Sequence, residues 1–75
     1  MGGNTGWWNT KRPLSEREIQ VLALVAEGNT VKSTAAALGT SFYTVQTQMQ
    51  DILRKLGAKN KAHAVCLGLR SGVIS

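Results

Sequence analysis

A chain of 75 residues, 43% of them hydrophobic, can close one thin core and leaves little room for an enclosed catalytic pocket. A single cysteine, Cys66, excludes an internal disulfide and any metal motif built on a cysteine pair. Nine Lys and Arg against four Asp and Glu give a net charge of +5, which suits an acidic partner. No apolar run approaches the roughly 18–20 residues that cross a bilayer, and the N-terminus lacks the layout of a secretory signal. The expectation is a soluble cytoplasmic protein that is not an enzyme, needs no cofactor or metal, and does not contact membrane.

Residues 1–13 are mostly Gly, Asn, Thr and a Trp pair without periodicity, and read as an N-terminal tail. Exposed tryptophan is unfavourable in a polar tail, so Trp7 or Trp8 is expected to dock on the domain that follows. That domain covers 14–75. Its first helix opens at Pro13-Leu14-Ser15, where Ser15 is an N-cap and Glu18, three residues on, completes a capping box. Ile19, Leu22, Ala23 and Ala26 form an apolar stripe that Val21 and Val25 widen. Gly28-Asn29 ends the helix, both residues tolerating the left-handed conformation found at helix C-termini. Arg17 or Glu18 is a candidate for a structural salt bridge to a later helix.

Thr30 caps a second, two-turn helix, VKSTAAAL, whose alanines permit a close helix crossing. Gly39 supplies a turn and Ser41 caps a third helix that runs from about 42 to Leu56 and stops at Gly57. A last helix starts after Asn60 and ends near Ser71 before Gly72, with Val73-Ile74 folding back as an apolar plug. Gly68 inside it costs about 1 kcal/mol relative to alanine, which a close helix–helix contact would justify. His63 and Cys66 share a face of this helix, but too few partners lie nearby for a metal or nucleophile site, and packing is their expected role. The plan is all-α: four helices, no strands and no repeat.

The third helix carries the most information. Val45, Met49, Ile52, Leu53 and Leu56 fall at helical spacing on one side. Tyr43, Gln46, Thr47, Gln50 and Arg54 fall on the other, a long polar face with almost no acid. A short helix, a turn and a long two-faced helix over about 30–56 make a helix–turn–helix, whose second helix presents its polar face to bases in the major groove. Glutamine pairs in bidentate fashion with adenine N7 and N6. Gln46, Thr47 and Gln50 are therefore the candidate base-reading residues. Seven of the basic residues, Lys11, Arg12, Lys32, Arg54, Lys55, Lys59 and Lys61, lie in or beside turns and the long helix, as a phosphate-facing surface requires. Lys32, Tyr43, Thr44, Gln48, Arg54, Lys55, Lys59 and Lys61 are the candidate phosphate contacts, which fix register without reading sequence.

From Leu14 to Ile74 the chain resembles the DNA-binding domain of LuxR-type (GerE-like) bacterial transcription regulators. The matching residues are LSERE at 14–18, VL at 21–22, VAEG at 25–28, Lys32, AA at 35–36, LG at 38–39 and Ser41. They continue with TV at 44–45, ILRKLGA at 52–58, Asn60 and AV at 64–65. The resemblance implies a compact four-helix domain whose third helix enters the major groove and whose fourth pairs two subunits over a two-fold operator. Double-stranded DNA, a second copy bound on DNA and RNA polymerase are the partners it suggests. Regulators of this kind usually carry an N-terminal receiver or ligand-binding domain, so an excised domain and a stand-alone regulator are both open.

The departures bear on specificity. Gln46 and Gln48 stand where the family has Lys or Arg and His, Thr34 and Thr40 where it prefers branched aliphatics, and Phe42 and Tyr43 where it prefers polar residues. The usual operator preference is not expected to carry over. If Ala64, Val65, Gly68 and Leu69 face the core, His63, Cys66, Leu67 and Arg70 turn outward and form the expected dimer surface, with Leu67 as its apolar centre. Two alternatives are a sigma region-4-like module, disfavoured by the helix after Gly57, and an interaction module that titrates a full-length regulator through the last helix.

Overall fold

The structure is a computed structural model and describes residues 14–75. The expectations for Trp7, Trp8, Lys11, Arg12 and the tail fall outside the described residues. Four helices follow one another: α1 (Glu16–Ala26), α2 (Val31–Leu38), α3 (Phe42–Leu56) and α4 (Lys61–Ser71). No strand occurs among the described residues. The architecture is the expected all-α four-helix fold.

Each helix begins where its capping chemistry dictates. Ser15 Oγ accepts the Glu18 amide at 3.1 Å while Glu18 Oε1 accepts the Ser15 amide at 2.9 Å, closing the capping box at α1. Thr30 and Ser33 do the same at α2, at 3.0 and 2.9 Å. Ser41 Oγ takes the Thr44 amide at α3, and Asn60 Oδ1 takes the His63 amide at α4. At the end of α1, Gly28 takes the positive φ, at 100°. Asn29 does not adopt a left-handed conformation, since no described non-glycine residue has positive φ. Its side-chain amide donates to the Leu24 carbonyl at 2.9 Å, an acceptor that the Glu27 and Asn29 backbone amides share at 3.1 Å each.

The four helices close on a core centred on Val21, Leu22, Val45 and Ile52, all with no exposed surface, together with Met49, Leu56, Ala35 and Ala64. Ile74 is buried in it and Val73 packs at its edge, so the C-terminal plug forms as expected. Ala26, placed on the inner stripe from the sequence, is exposed. The inward face of α1 instead runs through Glu18, Val21 and Leu22, a phase that an acidic residue disguises in the sequence.

Gly68 is required by packing. A Cβ added there would lie 2.9 Å from Leu22 Cδ2 and 3.1 Å from Ile74 Cγ1, inside van der Waals contact. The glycine thus lets α4 lie against Leu22 of α1 and lets the C-terminal plug fold over the same point. This close approach offsets its low helix propensity.

The phase of α4 differs from the expectation. Ala64 and Gly68 face the core, but Leu67 packs against it together with Val65, whereas Leu69 is 49% exposed. The outer stripe of α4 is consequently Ala62, Cys66 and Leu69 at i, i+4 and i+7, with exposed Arg70 beside it.

Candidate nucleic-acid interface

α2 and α3 form a helix–turn–helix: Thr30 caps the first helix, Gly39 ends it in the left-handed region at φ 69°, and Ser41 caps the second. The tight turn needs that glycine, because a side chain at such a φ is strained. Val31, Thr34 and Ala35 are the buried residues of α2, and Val45, Met49, Ile52 and Leu56 those of α3. With its inner stripe held this way, α3 cannot rotate without exposing four core side chains. Its outward polar face is therefore set by the packing of its inner one.

On that outer face Tyr43, Gln46, Thr47, Gln50 and Arg54 are exposed. Gln46, Gln50 and Tyr43 lie towards one edge, and Thr44, Gln48 and Lys55 towards the other. The Gln46/Gln50 edge borders an open groove of about 390 Å³ whose floor includes Val31, Met49 and Leu53 and whose rim includes Lys59 and Lys61. The turn between α3 and α4 brings Lys59, and the start of α4 brings Lys61, to the same edge of the helix as Gln46 and Gln50. His63 secures that turn: its Nδ1 accepts the Lys59 amide at 3.0 Å. His63 is half-buried, and this bond ties its ring to the turn that precedes α4.

The remaining candidates separate by their partners. Lys32 is exposed on α2. Thr44 is half-buried and its hydroxyl accepts from Ser41 Oγ at 2.9 Å, leaving its own proton free to donate. Arg54 pairs with Asp51 one turn earlier, so its guanidinium is exposed but not free of acid.

Lys55 is not a surface lysine. Its ammonium lies 2.9 and 3.1 Å from the two carboxylate oxygens of Glu18, and the side chains are only 28% and 8% exposed. This is the salt bridge from the first turn of α1 to the long helix, and it engages the Lys55 charge inside the fold. Gln48 is half-buried, and its Oε1 is buried without a hydrogen-bond partner, so it stands at the boundary between the core and the outer face. The buried Thr34 hydroxyl likewise lacks a partner.

Two residues missed by the sequence reading stand out on the surface. Phe42, at the first position of α3, is 54% exposed, and Leu69 on α4 is 49% exposed. The signal for Phe42 was present in its departure from the family pattern. That for Leu69 was absent, since α4 is rich in small residues that mark no clear inner face.

Among the described residues no three His, Cys, Asp or Glu side chains cluster as metal ligands, and no helix is long and apolar enough to cross a membrane.

A short capped helix packed against a long one, with the outer face of the second left polar and basic at its rim, is the arrangement of a helix–turn–helix regulator. Residues 12–68 match the family described as bacterial regulatory proteins, luxR family, and the chain belongs to that family. It is 36% identical over 62 residues to the transcriptional regulatory protein YdfI of Bacillus subtilis, covering 83% of this chain and 29% of that protein. It is 39% identical over 61 residues to the HTH-type transcriptional activator RamA of Corynebacterium glutamicum, covering 81% of this chain and 22% of RamA. A third relative, the transcriptional activator protein CarR of Pectobacterium carotovorum, is 41% identical over 56 residues, covering 75% of this chain and 23% of CarR. The chain therefore spans about a quarter of the length of these relatives.

Proposed function

We propose that this domain binds duplex DNA sequence-specifically and regulates transcription, with α3 in the major groove. The observation that carries the reading is the outer face of α3, where Gln46, Thr47 and Gln50 stand exposed opposite a fully packed inner face. Gln46 and Gln50 each offer a paired acceptor and donor that match adenine, and Thr47 supplies a hydroxyl or a methyl. Phosphate contacts come from Lys59 and Lys61 on the groove edge, from Lys32 on α2, and from Tyr43, Thr44 and Arg54 around α3. Lys55 and Gln48 belong to the scaffold. Such a domain acts in the cytoplasm, by binding rather than by catalysis, with RNA polymerase as a further partner.

Two copies pair on DNA through α4, placing their α3 helices one DNA turn apart, about 34–36 Å, over an inverted repeat. The stripe of Ala62, Cys66 and Leu69 with Arg70 is the surface proposed for that contact, because Leu69 is the large apolar side chain that α4 leaves exposed. The patch is small, so the pair forms on DNA rather than in dilute solution.

Selection of bound sites from random duplexes tests the reading. Gln46→Ala or Gln50→Ala should then weaken binding to the selected site by about 1–3 kcal/mol and relax the preference at one base pair. Unchanged preference in both variants would show that α3 does not read bases through its glutamines.

A further inference from the structure

Phe42 opens α3 with 54% of its surface in solvent. Side chains on a helix lean towards its N-terminus, so the ring overhangs the tip of the helix proposed to read bases, one turn ahead of Gln46. Its neighbour Tyr43 is 77% exposed but ends in a hydroxyl suited to a phosphate oxygen. Phe42 has no polar side-chain atom, so at the edges of stacked base pairs the contact it makes best is with an apolar group.

The major groove offers one such group, the C5-methyl of thymine. The glutamines beside it favour the same kind of base pair, since the adenine that an amide reads is paired with thymine.

We infer that Phe42 is a specificity residue that packs on a thymine methyl and extends A·T selectivity beyond the pair read by Gln46. The four-residue rise from Phe42 to Gln46, about 6 Å, corresponds to about two base-pair steps of 3.4 Å. The inference rests on the placement of α3 in the groove proposed above.

Replacing single thymines by uracil in the selected duplex tests it, because uracil keeps every hydrogen-bonding edge and lacks only the methyl. Wild-type chain should lose about three- to fivefold in affinity at one or two positions, the worth of one buried methyl. Phe42→Ala should lose a similar factor on the thymine duplex and nothing further on uracil. Tyr43→Phe should stay uracil-sensitive, which separates the two rings. Thermal melts confirm that each variant folds, and Phe42→Ser replaces the alanine variant should that one not fold.

A selective wild-type chain that is indifferent to uracil overturns the inference and leaves the DNA-reading proposal intact. So does a uracil penalty that survives removal of the Phe42 ring. A chain that prefers no duplex over random sequence removes the DNA-reading proposal, and this inference with it.

Discussion

Replacing Lys55 by Met should damage the fold and leave the electrostatics of DNA binding nearly unchanged. The Lys55 ammonium sits 2.9 and 3.1 Å from the Glu18 carboxylate. At that separation the gross attraction is roughly 5 kcal/mol for an effective dielectric near 20. Desolvation of the carboxylate offsets part of this. Deleting one partner of a fully buried pair costs about 3–5 kcal/mol, because the other charge is left stranded. Lys55 retains 28% of its exposure and Glu18 8%, so water reaches the lysine side of the pair and the expected loss is about 2 kcal/mol.

For a domain of this size that loss lowers Tm by about 10 °C, measured by circular dichroism melts and urea titration. Glu18→Gln keeps an oxygen for the Ser15 amide and removes the charge. Combined with Lys55→Met it should therefore recover much of the single-variant loss, because no stranded ion remains. On DNA, Lys59→Met should reduce the salt slope of binding by about one, as expected for one lost phosphate contact. Lys55→Met should leave the slope unchanged. A Lys55→Met variant within about 0.5 kcal/mol of wild type, in the range of an exposed pair, whose salt slope falls, would refute the reasoning and return Lys55 to the phosphate surface.

Thr34→Val should raise stability by about 1 kcal/mol, because the Thr34 hydroxyl is fully buried and unpartnered and an unmet buried polar group costs about 1–3 kcal/mol. A lower Tm for the valine variant would mean that the hydroxyl has a partner. Gly68→Ala should fail to deliver the roughly 1 kcal/mol of helix propensity it offers, and Gly68→Val should lose about 2 kcal/mol by overpacking against Leu22 and Ile74; denaturant melts of both decide. Leu69→Glu should abolish cooperative binding to a two-half-site duplex while a single half-site binds as before and the melt is unchanged. Cooperativity that persists in a gel-shift titration would place the pairing surface off α4.

How much of this protein was written locally can be read residue by residue. Ser15 with Glu18, Thr30, Ser41 and Asn60 each cap a helix using groups within three residues, so the four helix starts follow from short stretches of sequence alone. The inner face of α3 was equally legible, because Val45, Met49, Ile52 and Leu56 contrast sharply with the Gln and Thr residues between them. So was the need for a close contact at Gly68, since an isolated glycine in a helix is unfavourable without one.

Long-range pairing and weakly patterned faces were settled only in three dimensions. Glu18 could be assigned to the helix cap from the sequence, but the choice of Lys55 over its basic neighbours depends on a contact across 37 residues. Gln48 looks like any other polar residue of α3, yet the neighbouring helices bury its carbonyl. In α4 the run of Ala, Cys and Gly makes inner and outer sides nearly equal in hydrophobicity. Tertiary packing against Leu22 and Ile74 therefore set the rotation of the helix, tucking Leu67 against the core and leaving Leu69 in water. Caps and strongly two-faced helices are specified by neighbours in sequence. Charge partners, and the phase of a helix with little contrast, depend on which distant surfaces meet.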